Sequence, residues 1–226
     1  MGDCFLHGND SLNVGIPKFT YSGEHRVTDE GNDNWNIQFL TSGVLKIVQR
    51  KGAAKGIEVF LVGGGNSGNN AYSGGGGRGG SGGETKTENV TLSYGTDYQV
   101  TIGASGEATT GFGHTAIAGG GSPGGSGGLA TDPSPNGDNG TDGTHAFNDT
   151  AYSCYGAGGG GGCGFWAEAH GRSGEGGHDG GGNGGSGNGN GKNGIANTGG
   201  GGGGGGWSGG RGAPGGSGIV IIRNKR

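Results

Sequence analysis

Glycine recurs at every third position over long stretches of this chain, and that phase constrains the fold more than any other feature. The first stretch reads Gly65, Gly68, Ala71, Gly74, Gly77, Gly80, Gly83. The beat returns at Gly137, Gly140, Gly143, and at Gly171, Gly174, Gly177, Gly180. It returns last at Gly200, Gly203, Gly206, Gly209, Gly212, Gly215, Gly218. Three residues per turn is the repeat of the polyproline-II helix, in which one residue of each turn points the same way. Glycine at each turn leaves one bare face, against which another backbone can lie. The spacing predicts extended glycine helices packed side by side in a hexagonal-like bundle. Interhelix N–H···O=C bonds hold such a bundle, with weak Cα–H···O contacts. Inner helices need glycine on two or three faces, so the GGG runs belong inside. Outer helices turn Asn, Ser, Asp and Lys outward, and Gly184 to Lys192 reads as one of them.

Composition alone argues for disorder: 69 of 226 residues are Gly and only 27% are hydrophobic. The phase, a net charge of only −4, and apolar residues gathered into runs argue against it. Collagen is excluded, because there are 5 prolines and tracts such as Gly199 to Gly206 break a G-X-Y register. The charge balance predicts no nucleic-acid partner. The basic end, Arg223, Lys225 and Arg226, reads as a solvated tail. Met1 to Asn9 has no basic start and no apolar h-region, so no standard signal peptide is expected. No stretch is suited to membrane insertion. Cys4, Cys154 and Cys163 are an odd number. Cys154 and Cys163 could pair across a glycine loop, but free thiols are the expectation.

The apolar runs read as strands. They are Ile37 to Leu40, Val44 to Val48, Ile57 to Val62, Thr85 to Leu92, Tyr98 to Ile102, Thr115 to Ala118 and Ile219 to Arg223. Ser93 to Thr96 reads as the turn of a hairpin joining the fourth and fifth of these. Phe165 to His170 is the best helical fragment, too short to stand alone. The fold class is all-β: an antiparallel β-sandwich, with a TNF- or jelly-roll-like form as one option, carrying an inserted polyglycine-II bundle. Residues 1–34 read as an attachment or oligomerisation segment. The sandwich takes 35–118 and 219–226, interrupted by a first glycine tract at 63–83. The bundle takes 119–218, pinned by apolar strands at both ends.

Few residues suggest chemistry. GxGxxG registers abound but no helix follows them, and Gly-Lys-Ser/Thr is absent, so no nucleotide or other cofactor is expected. His7, His25, His114, His145, His170 and His178 form no close metal-spaced pair. A set of His170, His178 and Asp179 is conceivable, yet surface residues are the plainer reading, and no metal site is assigned. Asp132, Asp138 and Asp142 near Asn136 and Asn139 lack a calcium-loop pattern. Glu168 and Glu175 lack a pocket, and no catalytic residue is assigned. Aromatic rings inside the glycine region carry more information. A ring cannot sit between packed glycine helices, so Phe147, Tyr152, Tyr155, Phe165, Trp166 and Trp207 belong at loop tips or bundle edges. There they either plug the bundle against the sandwich or form a contact surface. The contact reading selects Tyr152, Tyr155, Phe165, Trp166, His170, Trp207 and Arg211, within loops around 132–149, 151–154, 165–170 and 207–211.

Trp35 to Gly43, Ile57 to Gly65, Tyr98 to Ala104, and Asn197 through the glycine run to Arg223 together carry a resemblance. This pattern, above all the closing GGSGIVIIR, resembles the glycine-rich tail proteins of phages and prophages of gut bacteria. The glycine bundle also looks like phage adhesin tips built from polyglycine-II helices, and like the glycine-rich domain of the anaplastic lymphoma kinase receptor. The resemblance implies a virion component of the distal tail or fibre, made in the host cytoplasm. Its implied partners are its own copies, with a trimer favoured as in many fibres, other tail proteins, and a bacterial surface glycan or protein. A purely structural tail, fibre or decoration protein is the alternative, and an ice-binding protein a distant one. No family functional residue carries over.

Overall fold

The computed structural model describes residues 16–32, 34–48, 54–129, 135–166 and 169–224. Ten strands, numbered along the chain, form two five-stranded sheets. The first sheet has the order β1 (Phe19–Tyr21), β4 (Gly43–Ile47), β7 (Asp97–Thr101), β8 (Thr109–Gly111), β9 (His114–Ala116). The second has the order β2 (His25–Gly31), β3 (Asn34–Phe39), β14 (Ile219–Asn224), β5 (Ala54–Val62), β6 (Thr85–Leu92). Every pairing is antiparallel. The core between the sheets joins Leu45, Ile47, Val100 and Ala116 of the first to Trp35, Ile37, Phe39, Ile57, Val59, Leu61, Val220 and Ile222 of the second. This is the all-β sandwich that the alternating and apolar runs predict.

The second sheet is covered on both faces. Phe60, Val62, Ile219 and Ile221 point away from the sandwich core and pack against Ala146, Phe147 and Tyr155. Those residues belong to a plug made of β10 (Thr144–His145), a 3-10 turn (Ala146–Asn148) and β11 (Cys154–Tyr155). Double coverage explains why β5 and β14 read as continuous apolar runs. Val62 pairs with Ile219, so adjacent strands launch and receive the glycine region.

Between them lie ten extended runs, each bonded to its neighbours at three-residue intervals. Their approximate spans are 63–71, 76–84, 119–128, 135–143, 156–164, 171–177, 181–185, 189–195, 199–206 and 210–218, hereafter runs 1 to 10. Runs 5 and 9 are central. Run 9 exchanges backbone bonds with runs 1, 2, 5, 7, 8 and 10, for example Gly202 N to Asn66 O, Gly204 N to Gly160 O and Ala213 N to Gly203 O. Run 5 likewise meets runs 2, 3, 4, 6, 7 and 9, as in Gly125 N to Gly159 O and Gly174 N to Gly161 O. Two centres sharing a ring of eight is a hexagonal lattice with two filled sites. Every residue of 156–164 and 199–206 is buried, and all but Ala157 and Cys163 are Gly. A helix with six backbone neighbours has no face left for a side chain.

An added Cβ at Gly65, Gly68, Gly77, Gly80, Gly83, Gly206, Gly212, Gly215 or Gly218 would overlap a backbone carbonyl oxygen across the contact. Gly74 and Gly209 differ from this pattern. A Cβ there meets nothing within 4 Å, and their φ values of +108° and +105° place them in turns. They sit on the beat for conformational rather than packing reasons. Outer runs add a device that the outward reading of Asn and Asp misses. Asn136, Asn139 and Asp142, three apart on run 4, accept the amides of Arg172, Glu175 and His178 at 2.8, 2.8 and 2.6 Å. These side chains satisfy backbone donors on the next run.

Four further expectations change. Residues 19–31 supply β1 and β2 to the two sheets, so the sandwich begins before residue 35. Residues 1–15 lie outside the described residues. The hairpin expected across Ser93–Thr96 does not form: β6 pairs with β5, β7 pairs with β4 and β8, and the turn crosses between sheets. Phe165–Trp166 (β12) and Ala169–His170 (β13) pair as a hairpin rather than a helical turn. Residues 184–192 are two runs joined by a turn at 186–188, not one outer helix.

Candidate functional site at the bundle tip

Runs 1 to 10 alternate in direction, so their connections fall at two ends. The sandwich excursion, the plug, and the turns at 178–180 and 195–198 lie at the end where Val62 and Ile219 anchor the bundle. The turn at 72–75, Leu129, the β12–β13 pair, and the turns at 186–188 and 207–209 lie at the opposite tip. A residue's position in this alternation decides whether it can meet a partner beyond the tip.

The predicted contact residues divide accordingly. The backbones of Phe165, Trp166 and His170 form the tip hairpin, with Phe165 paired to His170. Trp207 is half-buried and Arg211 exposed, both at the tip. Tyr152 and Tyr155 sit at the anchored end and are corrected to plug residues. Tyr155 is 8% exposed, with its ring 5.5 Å from that of Phe60. Tyr152 packs at 5.5 Å against Phe147, which itself packs on Phe60. Phe60, Val62, Ile219 and Ile221 offer the apolar outer face these rings cover, so the plugging alternative holds for them.

Arg223 locks the plug. It is 6% exposed, a correction to the solvated-tail reading, because β14 is interior and its end runs beneath the plug. Nε donates to Glu58 Oε2 at 2.7 Å and Nη1 to Asp149 Oδ2 at 3.1 Å. The guanidinium lies 4.1 Å from the Phe147 ring centroid and 5.6 Å from that of Tyr152. Burial would lower its pKa, but the bonds to Glu58, Tyr152 and Asp149 outweigh it and raise it. Tyr152 donates to Glu30 at 3.0 Å, and burial raises its phenol pKa. The clamp also holds Phe147 at φ 56°, a left-handed conformation uncommon for a bulky residue.

At the tip, run 2 lies between runs 1 and 3, and a cleft of about 370 Å³ opens there. Gly76 and Gly77 form its floor, with Asn69, Asn70 and Tyr72 on one wall and Ser126 and Leu129 on the other. Arg78 reaches in from run 2. Tyr72 and Leu129 are exposed, at 51% and 48%. Asn70 is held by the amide of Gly212 at 3.0 Å. An exposed ring beside amide and guanidinium donors can stack on one face of a small ring and bond its hydroxyls. Sequence reasoning missed Tyr72 and Leu129. Both are large apolar side chains beside glycine tracts, as Trp207 is, and that was the available signal.

Other chemistry candidates are dispersed. Asn136, Asn139 and Asp142 are engaged with run 6, and Asp132 and Glu168 lie outside the described residues. His178 and Asp179 lie at the anchored end and His170 at the tip, so these three do not converge. Cys154 and Cys163 are free and buried. Among the described residues no helix is long and apolar enough to cross a membrane.

A family model described as a glycine-rich domain matches residues 41–225, which takes in the bundle and the sandwich strands from β4 onward but not β1 to β3. No curated protein and no solved structure matches the chain. The match spans most of the sequence, and the chain belongs to this glycine-rich domain family.

Proposed function

We propose that this protein is a structural adhesin of a phage tail or fibre, presenting the bundle tip to a bacterial surface glycan or protein. The observation that carries the reading is the fate of the bundle's aromatic rings at its two ends. Rings at the anchored end are consumed as a plug, whereas Tyr72 at the tip stays exposed, with Leu129, beside a cleft lined by Asn69, Asn70 and Arg78. A backbone-bonded bundle is a rigid post with little adaptable surface of its own, so recognition falls to its turns. The sandwich is the mounting module, contacting further copies of the chain and other tail proteins in the virion.

Labelled protein is expected to bind host cells and to block phage adsorption. Tyr72→Ala is expected to abolish both at unchanged thermal stability, and Trp207→Ala to abolish both with some loss of stability because Trp207 is half-buried. A folded protein that neither binds cells nor competes for adsorption sinks the adhesin reading and leaves a purely structural tail role.

A further inference from the structure

We propose a transition-metal site, best suited to Zn²⁺, formed by Cys154, His178 and Asp179, with solvent in the fourth position. One ligand atom each from Cys154, His178 and Asp179 lies within 4.8 Å of the others. His178 Nδ1 is 3.1 Å from Asp179 Oδ2, and Asp179 Oδ2 accepts the Cys154 amide at 3.4 Å. Two ligands at ordinary Zn–N and Zn–O distances in tetrahedral array stand about 3.4 Å apart, close to the His178–Asp179 spacing.

The surroundings are also those of a ligand set. His145 Nδ1 donates to the Tyr152 carbonyl at 2.6 Å, which fixes the imidazole ring beside the Cys154 sulfur. The His178 amide is fixed by Asp142 Oδ1 at 2.6 Å. One thiolate, one imidazole and one carboxylate form a mixed set that Zn²⁺ accepts and that Ca²⁺ or Mg²⁺ does not. Coordination takes Cys154 as the thiolate, so binding releases its proton to solvent. The ligands come from the plug hairpin and from the turn joining runs 6 and 7. A bound ion would staple plug to bundle beside the Arg223 clamp. The inference is independent of the adhesin reading.

The test is titration of the full chain with Zn²⁺ by calorimetry, and with Co²⁺ by absorbance. The expected result is one equivalent bound, a near-ultraviolet thiolate-to-cobalt band, and a raised melting midpoint with Zn²⁺. Cys154→Ser removes the band while Cys163→Ser leaves it. His178→Ala weakens affinity by about tenfold or more, and since His178 is exposed this variant folds even if Cys154→Ser does not. Absence of saturable binding, or binding unchanged in the variants that fold, overturns the assignment.

Discussion

Alanine at Gly202, in the middle of run 9, tests the packing account most quantitatively. The new Cβ would overlap the Ala213 carbonyl oxygen, with Pro214 O at 2.6 Å and the Ala213 carbonyl carbon at 2.7 Å. Relief requires run 10 to retreat by about 1 Å, far enough to lose good hydrogen-bond geometry. The flanking bonds, Ala213 N to Gly203 O at 2.9 Å and Gly216 N to Gly200 O at 2.7 Å, stretch with it. Two weakened bonds cost about 1 kcal/mol each, and overpacking adds about 1–3 kcal/mol. Against this, replacing Gly by Ala restricts the unfolded chain and returns about 0.4–1 kcal/mol. The net destabilisation is about 3 kcal/mol, a fall in Tm of roughly 6–12 °C for a chain of this size. Calorimetry of Gly202→Ala beside Asn188→Ala, on an exposed tip turn, reads this directly. Asn188→Ala should lie within about 0.5 kcal/mol of the parent. Equal midpoints for the two variants, or a stabilised Gly202→Ala, would refute the reasoning, because that is how a loose glycine tract behaves.

Arg223→Ala removes the cation beside Glu58 and Asp149, whose side chains are 31% and 21% exposed. Partial exposure softens the usual cost of breaking a buried pair, to about 2 kcal/mol in urea unfolding, with loss of the near-ultraviolet signal of the Phe147–Tyr152 pair. Tyr21 donates to the Thr41 carbonyl at 2.6 Å, and burial pushes its pKa from 10.0 to about 12. The folded state favours the neutral phenol, so this stability is complete below pH 10 and is lost as pH rises from 10 through 12. A pH series of unfolding midpoints should show that alkaline loss, smaller in Tyr21→Phe. Tyr72→Ala should leave Tm within about 1 °C while removing cell binding, since its exposed ring supports no core.

The bundle was legible in the sequence because a three-residue period has few structural meanings, and the interior glycine tracts announced themselves by lacking any polar beat. Apolar runs gave the strands, and Val62 and Ile219 marked where the bundle is pinned. The missed elements were set by tertiary partners. β1 and β2 alternate weakly because they are edge strands with one solvated face. The β6–β7 connection looks like a hairpin locally, but Leu92 and Val100 enter the core from opposite sheets. Arg223 reads as a tail because sequence gives no sign of the plug that lies over it. The candidate site was half visible. Interrupted glycine beats located the rings, but the parity of the runs, which sends Tyr155 to one end and Trp207 to the other, appears only once the ten runs are counted.

Amide hydrogen exchange across the glycine region tests the central claim most directly. Amides of 157–164 and 199–206, each run enclosed by six bonded neighbours, should exchange as slowly as those of β14 and far more slowly than the tip turns at 186–188 and 207–209. Uniformly fast exchange throughout these tracts, with protection confined to the β-sandwich, would contradict the bundle.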